Sequence, residues 1–222
     1  MTPRARSIDI LCISYEAVAS SPQQKRNSIQ KQLLGPDQVS VLNTDFRFAP
    51  EKVLRDGLLL LPYLTGERTP DLPNSTGVFH GLTLTNFTAP HMARAAFEGV
   101  TLGLGYGLAR FRELGMHPAE IRLTGGGSNS RLWRQMCADV FGVPTVCLQS
   151  GEGAGLGGAI QAGWVWNNEQ GSGATLAEIC ERLVQADETS RNEPDANASE
   201  VYSDALNRTS EIRNAFSEAK LI

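Results

Sequence analysis

The sequence predicts an α/β fold, and three stretches carry that expectation. Ile121 to Val143 opens as a short apolar strand, Ile121 to Leu123, breaks at Gly125, Gly126 and Gly127, and restarts as a helix. Thr145 to Leu148 reads as a second short strand, and a glycine-rich entry from Glu152 to Ala159 again leads into a helix. Ahead of both, Pro90 opens a long helical pattern that runs to about Leu114 and stops at Gly115. Proline is tolerated in a first helical turn and glycine ends a last one. Short strands alternating with helices of this length mark the mixed class.

Composition narrows the function classes. The chain has 222 residues, enough for one sizeable domain or two small ones. It is 41% hydrophobic and 20% charged with a net charge of −4, which suits a globular protein. No basic stripe or aromatic-basic patch points to nucleic acid. Cys12, Cys137, Cys147 and Cys180 show no C-x-x-C spacing, and Cys137 and Cys147 read as buried thiols. His80, His91 and His117 are scattered, so no protein-held metal site is expected. Sequons at Asn74, Asn86, Asn197 and Asn207 come without a secretory leader and are expected to stay unglycosylated. No apolar run reaches the ~18 residues of a membrane span. The expected compartment is a reducing cytoplasm, with neither membrane nor nucleic acid as partner.

In chain order, Ile8 to Ile13 is an apolar patch, Gln23 to Gln32 is helix-permissive, and Val39 to Leu42 resembles a short strand. Leu58 to Leu61 is a continuous apolar run closed by Pro62, the pattern of a buried strand. The loop after it holds Glu67 and Arg68, either as an internal ion pair fixing the loop or as part of a cleft wall. Asp71 to Thr76 is turn-rich, and Gly77 to Leu82 is a glycine-flanked strand. In the long helix Ala95, Gly99, Gly103 and Gly107 recur every four residues and draw a stripe for close backbone packing. Arg94, Glu98 and Arg110 exclude a membrane reading of that stripe. Gly171 to Gly173 is a linker, Thr175 and Glu178 fit a capping box, and Asp187 to Asn197 reads as a polar loop. Val201, Tyr202, Leu206, Ile212 and Phe216 suggest a final amphipathic helix.

Chemistry concentrates at Gly125 to Asn129. Three glycines let a backbone approach a flat ligand closely, and the following helix offers free N–H groups and a positive dipole. Ser128, Asn129 and Ser130 are the cap candidates. Leu132, Trp133, Met136, Cys137 and Val140 share one helical face, and Gly142 and Pro144 end the helix. Neither G-x-G-x-x-G nor Gly-Lys-Ser/Thr occurs here, so the stretch is neither a dinucleotide fingerprint nor a Walker loop. Locally, a nucleotide site and a purely structural turn both fit.

Several stretches in one order resemble the C-terminal domain of the FGGY carbohydrate kinases, and most closely its xylulokinase branch. Gly77, Phe79, Gly81 and Leu82, followed by His91, Met92, Ala95, Ala96, Phe97 and Glu98, match that family's C-terminal signature. Pro62-Tyr63, Gly66-Glu67-Arg68 and Thr69-Pro70 look like the xylulokinase form of the preceding segment. Gly125 to Asp139 is similar to the family's adenosine motif, Glu152 to Gly163 to the helix entry after it, and the tail with Tyr202 to its closing helix. The resemblance covers residues 57–222, while residues 1–56 match poorly.

The resemblance implies an actin-like ATPase, or ribonuclease-H-like, C-terminal domain lacking its first hairpin. It implies Mg-ATP as cofactor, with Gly125, Gly126, Gly127, Ser128 and Asn129 against the adenosine, and transfer of the γ-phosphoryl to a hydroxyl of D-xylulose or another FGGY sugar or polyol. No Gly-Thr-Ser phosphate loop stands between Met1 and Asp56. No catalytic base is assigned: the resemblance places it in the missing N-terminal domain, and neither Asp139, within a helix, nor Asp71, in a turn, matches it. The chain reads as truncated or rearranged, with a missing N-terminal kinase domain or a homo-oligomer as its expected partner. The alternative is a non-catalytic remnant that binds nucleotide or a partner; the chain alone is expected to be inactive.

Overall fold

The computed structural model describes residues 57–171 and 173–222. The expectations for Ile8 to Ile13, Gln23 to Gln32 and Val39 to Leu42, and for the first hairpin, lie outside these residues. The described residues fall into two compact units, one of 57–117, 139–142 and 194–222, the other of 118–138 and 143–193.

In the first unit, β1 (Leu59–Leu61) pairs antiparallel with β2 (Val78–His80), Leu60 opposite Phe79. All three β1 side chains are buried, as the apolar run predicts. Helix α1 (Ala89–Glu113) begins at Thr88, whose hydroxyl accepts the His91 N–H, and carries Pro90 in its first turn. At its other end Gly115 takes φ +83, and its N–H donates to the Arg112 carbonyl. Leu58, Leu60 and Ala95 form the local core, with Phe79, Met92 and Ala96 against it.

The small-residue stripe is only half right. A Cβ at Gly99 would lie 2.4 Å from the Leu60 carbonyl oxygen, so helix and strand do touch backbone to backbone there. Gly103 and Gly107 face nothing within 4 Å. The second close approach falls at Gly105, outside the stripe, against Val140 and Leu206. The cause is the 3.6-residue period: a strict four-residue spacing drifts around the helix and leaves the packed face within two turns.

Helix α5 (Ala196–Glu218) closes this unit. Ala198, Tyr202, Ala205 and Arg213 are its buried positions; of the expected apolar face, Tyr202 is buried, Leu206, Ile212 and Phe216 are half-buried and Val201 is exposed. The Arg213 guanidinium sits over the Tyr106 ring of α1 at 4.6 Å from its centroid. Asp195 caps α5, its carboxylate accepting the Ala198 N–H at 2.9 Å. Asp195→Ala is therefore expected to cost about 1 kcal/mol, measured by urea unfolding followed at 222 nm. An unchanged midpoint would show that the cap is dispensable.

The second unit holds β3 (Ile121–Leu123), α2 (Arg131–Phe141, its last residues belonging to the first unit), β4 (Thr145–Leu148), α3 (Gly153–Glu169), α4 (Leu176–Leu183) and β5 (Ala186–Asn192). The strand order is β3-β4-β5, with β3 parallel to β4 and β5 antiparallel to it. Strand β5 corrects the loop expected at Asp187 to Asn197. Its sequence, Ala-Asp-Glu-Thr-Ser-Arg-Asn, lacks aliphatic β-formers. Its ladder to β4 is reinforced by Ser190, whose hydroxyl accepts the Cys147 N–H at 2.7 Å. Arg191 reaches Glu120 at 2.5 Å and Glu188 at 2.6 Å. Those two carboxylates hold the Arg191 guanidinium well above its usual range despite some desolvation. The predicted capping box at Thr175 and Glu178 is present and opens α4.

Candidate nucleotide-binding turn

Because β3 and β4 run parallel, their C-terminal ends lie at the same sheet edge, where α/β folds gather their ligands. Both strands open there into glycine-rich segments that enter helices. The β3 exit is a 3-10 turn, Gly126–Asn129, flanked by Gly125 at φ +90. That sign of φ excludes most side chains and lets the chain turn sharply off the strand. The β4 exit passes through Gln149 to Glu152 into α3, and the glycine-rich stretch from Gly153 is itself helical. A Cβ at Gly153 would lie 3.0 Å from the Thr124 hydroxyl, so the two exits touch.

Gly125, Gly126, Gly127, Ser128 and Asn129 thus stand in one short turn. All are exposed except Ser128, which is buried. Its hydroxyl donates to the Gly125 carbonyl at 2.7 Å and closes the turn. The leading N–H groups of such a turn have no acceptor within it. Gly126 has nothing within 4 Å of where a Cβ would stand, whereas a Cβ at Gly127 would meet the Trp133 ring at 2.7 Å. One glycine offers an open face, and the next seats an aromatic beneath the turn. Of the three cap candidates for α2, Ser130 does the work, its hydroxyl accepting the Trp133 N–H at 3.3 Å.

Sequence reasoning missed three residues here. Thr124 joins the two exits. Arg134 donates from Nη1 to the Ser128 carbonyl at 2.7 Å, and the Cys147 thiol lies 3.6 Å from the same oxygen. An arginine one turn into the helix carries no local signal for this role, because the contact exists only once the 3-10 turn has folded. Elsewhere, the Glu67 carboxylate accepts the main-chain N–H groups of Arg68 at 2.7 Å and Thr69 at 3.1 Å. Glu67 therefore fixes its loop through the backbone rather than through the guanidinium of Arg68.

The open side of Gly126 leaves room for a planar group, and the leading N–H groups of the turn are of the kind an anion or a ring edge would take. Among the described residues no group of three or more His, Cys, Asp or Glu side chains could hold a metal ion. Asp139 is buried, and its carboxylate accepts the Asp195 N–H at 2.9 Å, a structural role at the start of α5. No helix among the described residues is long and apolar enough to cross a membrane.

Residues 22–166 match the FGGY family of carbohydrate kinases, C-terminal domain. The xylulose kinase of Haemophilus influenzae is 43% identical over 153 residues, covering 69% of this chain and 30% of that protein. The ligand-bound xylulose kinase from Lactobacillus acidophilus superposes with a TM-score of 0.69 at 30% identity, covering 86% of this chain and 37% of its own. The gluconate kinase from Lactobacillus acidophilus gives a TM-score of 0.68, also at 30% identity, over 86% of this chain and 37% of its own. The chain thus spans less than two-fifths of the length of each of these three proteins.

Proposed function

We propose, because this chain belongs to the FGGY family of carbohydrate kinases, that it supplies the nucleotide-holding part of an ATP-dependent sugar kinase. Its fold is the actin-like ATPase fold of that family. The reaction is of xylulose kinase type, passing the γ-phosphoryl of ATP to a hydroxyl of D-xylulose to give xylulose 5-phosphate. The observation that carries this reading is the parallel β3–β4 pair, whose two glycine-rich exits meet at one edge with Gly126 open beside them. Likeness to a gluconate kinase makes gluconate the second acceptor to try.

Gly125, Gly126 and Gly127 let the adenosine lie against the main chain beside Asn129, while Ser128, buried and bonded to Gly125, shapes the turn from within. Bound ATP supplies the phosphoryl group, and Mg²⁺ accompanies its phosphates rather than a dedicated protein cage. Phosphoryl transfer depends on positioning and charge stabilisation. A base and the sugar contacts are assigned to other parts of a complete kinase, so the chain alone binds nucleotide without turning over. Cys147 and Cys180, in no disulfide, suit the reducing cytoplasm we assign to it.

Gly126→Arg tests the reading cleanly. Gly126 has an ordinary φ and open space, so an arginine there is tolerated by the fold and projects into the ligand's position. Titration calorimetry with Mg-ATP is expected to give saturable binding for the wild type and at least about tenfold weaker binding for the variant, with unchanged melting. Equal affinity in the two proteins would remove the turn from the site.

A further inference from the structure

We infer that Arg134 is a positioning residue, holding the Gly125–Asn129 turn in its ligand-accepting shape through the Ser128 carbonyl; as a statement about nucleotide affinity this rests on the function proposed above. Ser128 is the one buried member of the turn, and its neighbours on both sides are exposed. With Ser128 drawn inward, Gly125, Gly126, Gly127 and Asn129 are left exposed. Two donors reach its carbonyl: Arg134 Nη1 at 2.7 Å and Cys147 Sγ at 3.6 Å. The thiol is a weak donor and the guanidinium a charge-assisted one, so Arg134 dominates.

Arg134 is itself fixed at its root. Its N–H donates to the Ser130 carbonyl at 3.0 Å, and its carbonyl accepts the Thr145 hydroxyl of β4 at 3.1 Å. The guanidinium therefore reaches the turn from a helix pinned to the sheet. Its Nε is buried with no hydrogen-bond partner, a cost tolerated while Nη1 serves Ser128. Arg134→Met removes that unpaired donor together with the bond, keeps the stem, and so spares the fold. Arg134→Lys keeps one charged donor.

The test uses the full chain, with hydrogen exchange read by mass spectrometry without ligand and Mg-ATP affinity by calorimetry. In Arg134→Met, exchange across residues 124–131 is expected to rise about tenfold with β5 unchanged, and affinity to fall about tenfold. Arg134→Lys should restore most of both. Unchanged exchange in the turn, a rise shared equally by β5, or a faster turn with unaltered affinity would each overturn the assignment. A wild type that does not bind Mg-ATP overturns the nucleotide reading instead; the ligand-free exchange comparison still decides whether Arg134 holds the turn.

Discussion

Gly99→Val is expected to destabilise the unit built on β1, β2, α1 and α5 by about 3 kcal/mol or more, the upper end for an overpacked core. A Cβ at this position would meet the Leu60 carbonyl oxygen at 2.4 Å and the Leu60 Cβ at 3.1 Å. Neither atom is the far end of a flexible side chain. Leu60 is the central residue of a three-residue strand, paired with Phe79, and cannot retreat without dragging β1 off β2. Gly103, one turn further along α1, has nothing within 4 Å. There alanine should stabilise by up to about 1 kcal/mol, because it forms helix better than glycine. Urea unfolding of Gly99→Ala, Gly99→Val and Gly103→Ala tests both claims. A Gly99→Ala chain as stable as wild type would show that α1 and β1 can separate without cost.

The contrast between these glycines shows what the sequence could and could not reveal. Spacing identified a helix with a side-chain-free stripe, and both ends of α1 were readable from Pro90 and Gly115. Which glycines face a wall depends on where β1, Val140 and Leu206 come to lie, and no local pattern encodes that. Strand β5 was missed for a related reason. Apart from Thr189 its residues are poor strand formers, and it exists because β4 offers a backbone edge some forty residues earlier in the chain. The glycine turn was legible because strand exit, turn and helix cap are all local signals. Its supports were not: Thr124 touches Gly153 at the start of α3, and Arg134 acts on a carbonyl whose position the turn itself creates.

The same limit applies to Glu98, which family resemblance marked and the fold explains. Its carboxylate bonds Arg94 Nε at 2.6 Å, Arg94 Nη2 donates to the Tyr202 hydroxyl at 3.0 Å, and that hydroxyl lies 3.5 Å from Glu98. Glu98 is 2% exposed and Tyr202 1% exposed, so the cluster is a desolvated link between α1 and α5. Glu98→Ala should cost about 3–5 kcal/mol, since it strands the Arg94 charge, whereas the pair replacement Arg94→Met with Glu98→Leu should recover most of that loss. A double variant as unstable as the single one would show that the pair contributes net stability of its own. The pH dependence follows from the burial. Desolvation pushes the Glu98 carboxyl above its ordinary 4.5, and Arg94 and Tyr202 only partly pull it back. The folded chain therefore holds this proton more tightly than the unfolded chain. Stability from this group is fully present below the unfolded value and is lost as pH rises through the folded one. Comparison with Glu98→Gln, which cannot titrate, isolates the effect: wild type should lose ground to the variant as pH rises from 4.5. If wild type gains ground over that interval, the charge of Arg94 outweighs burial, and α1 and α5 are joined by a favourable ion pair rather than by a carboxyl that folding would sooner keep protonated.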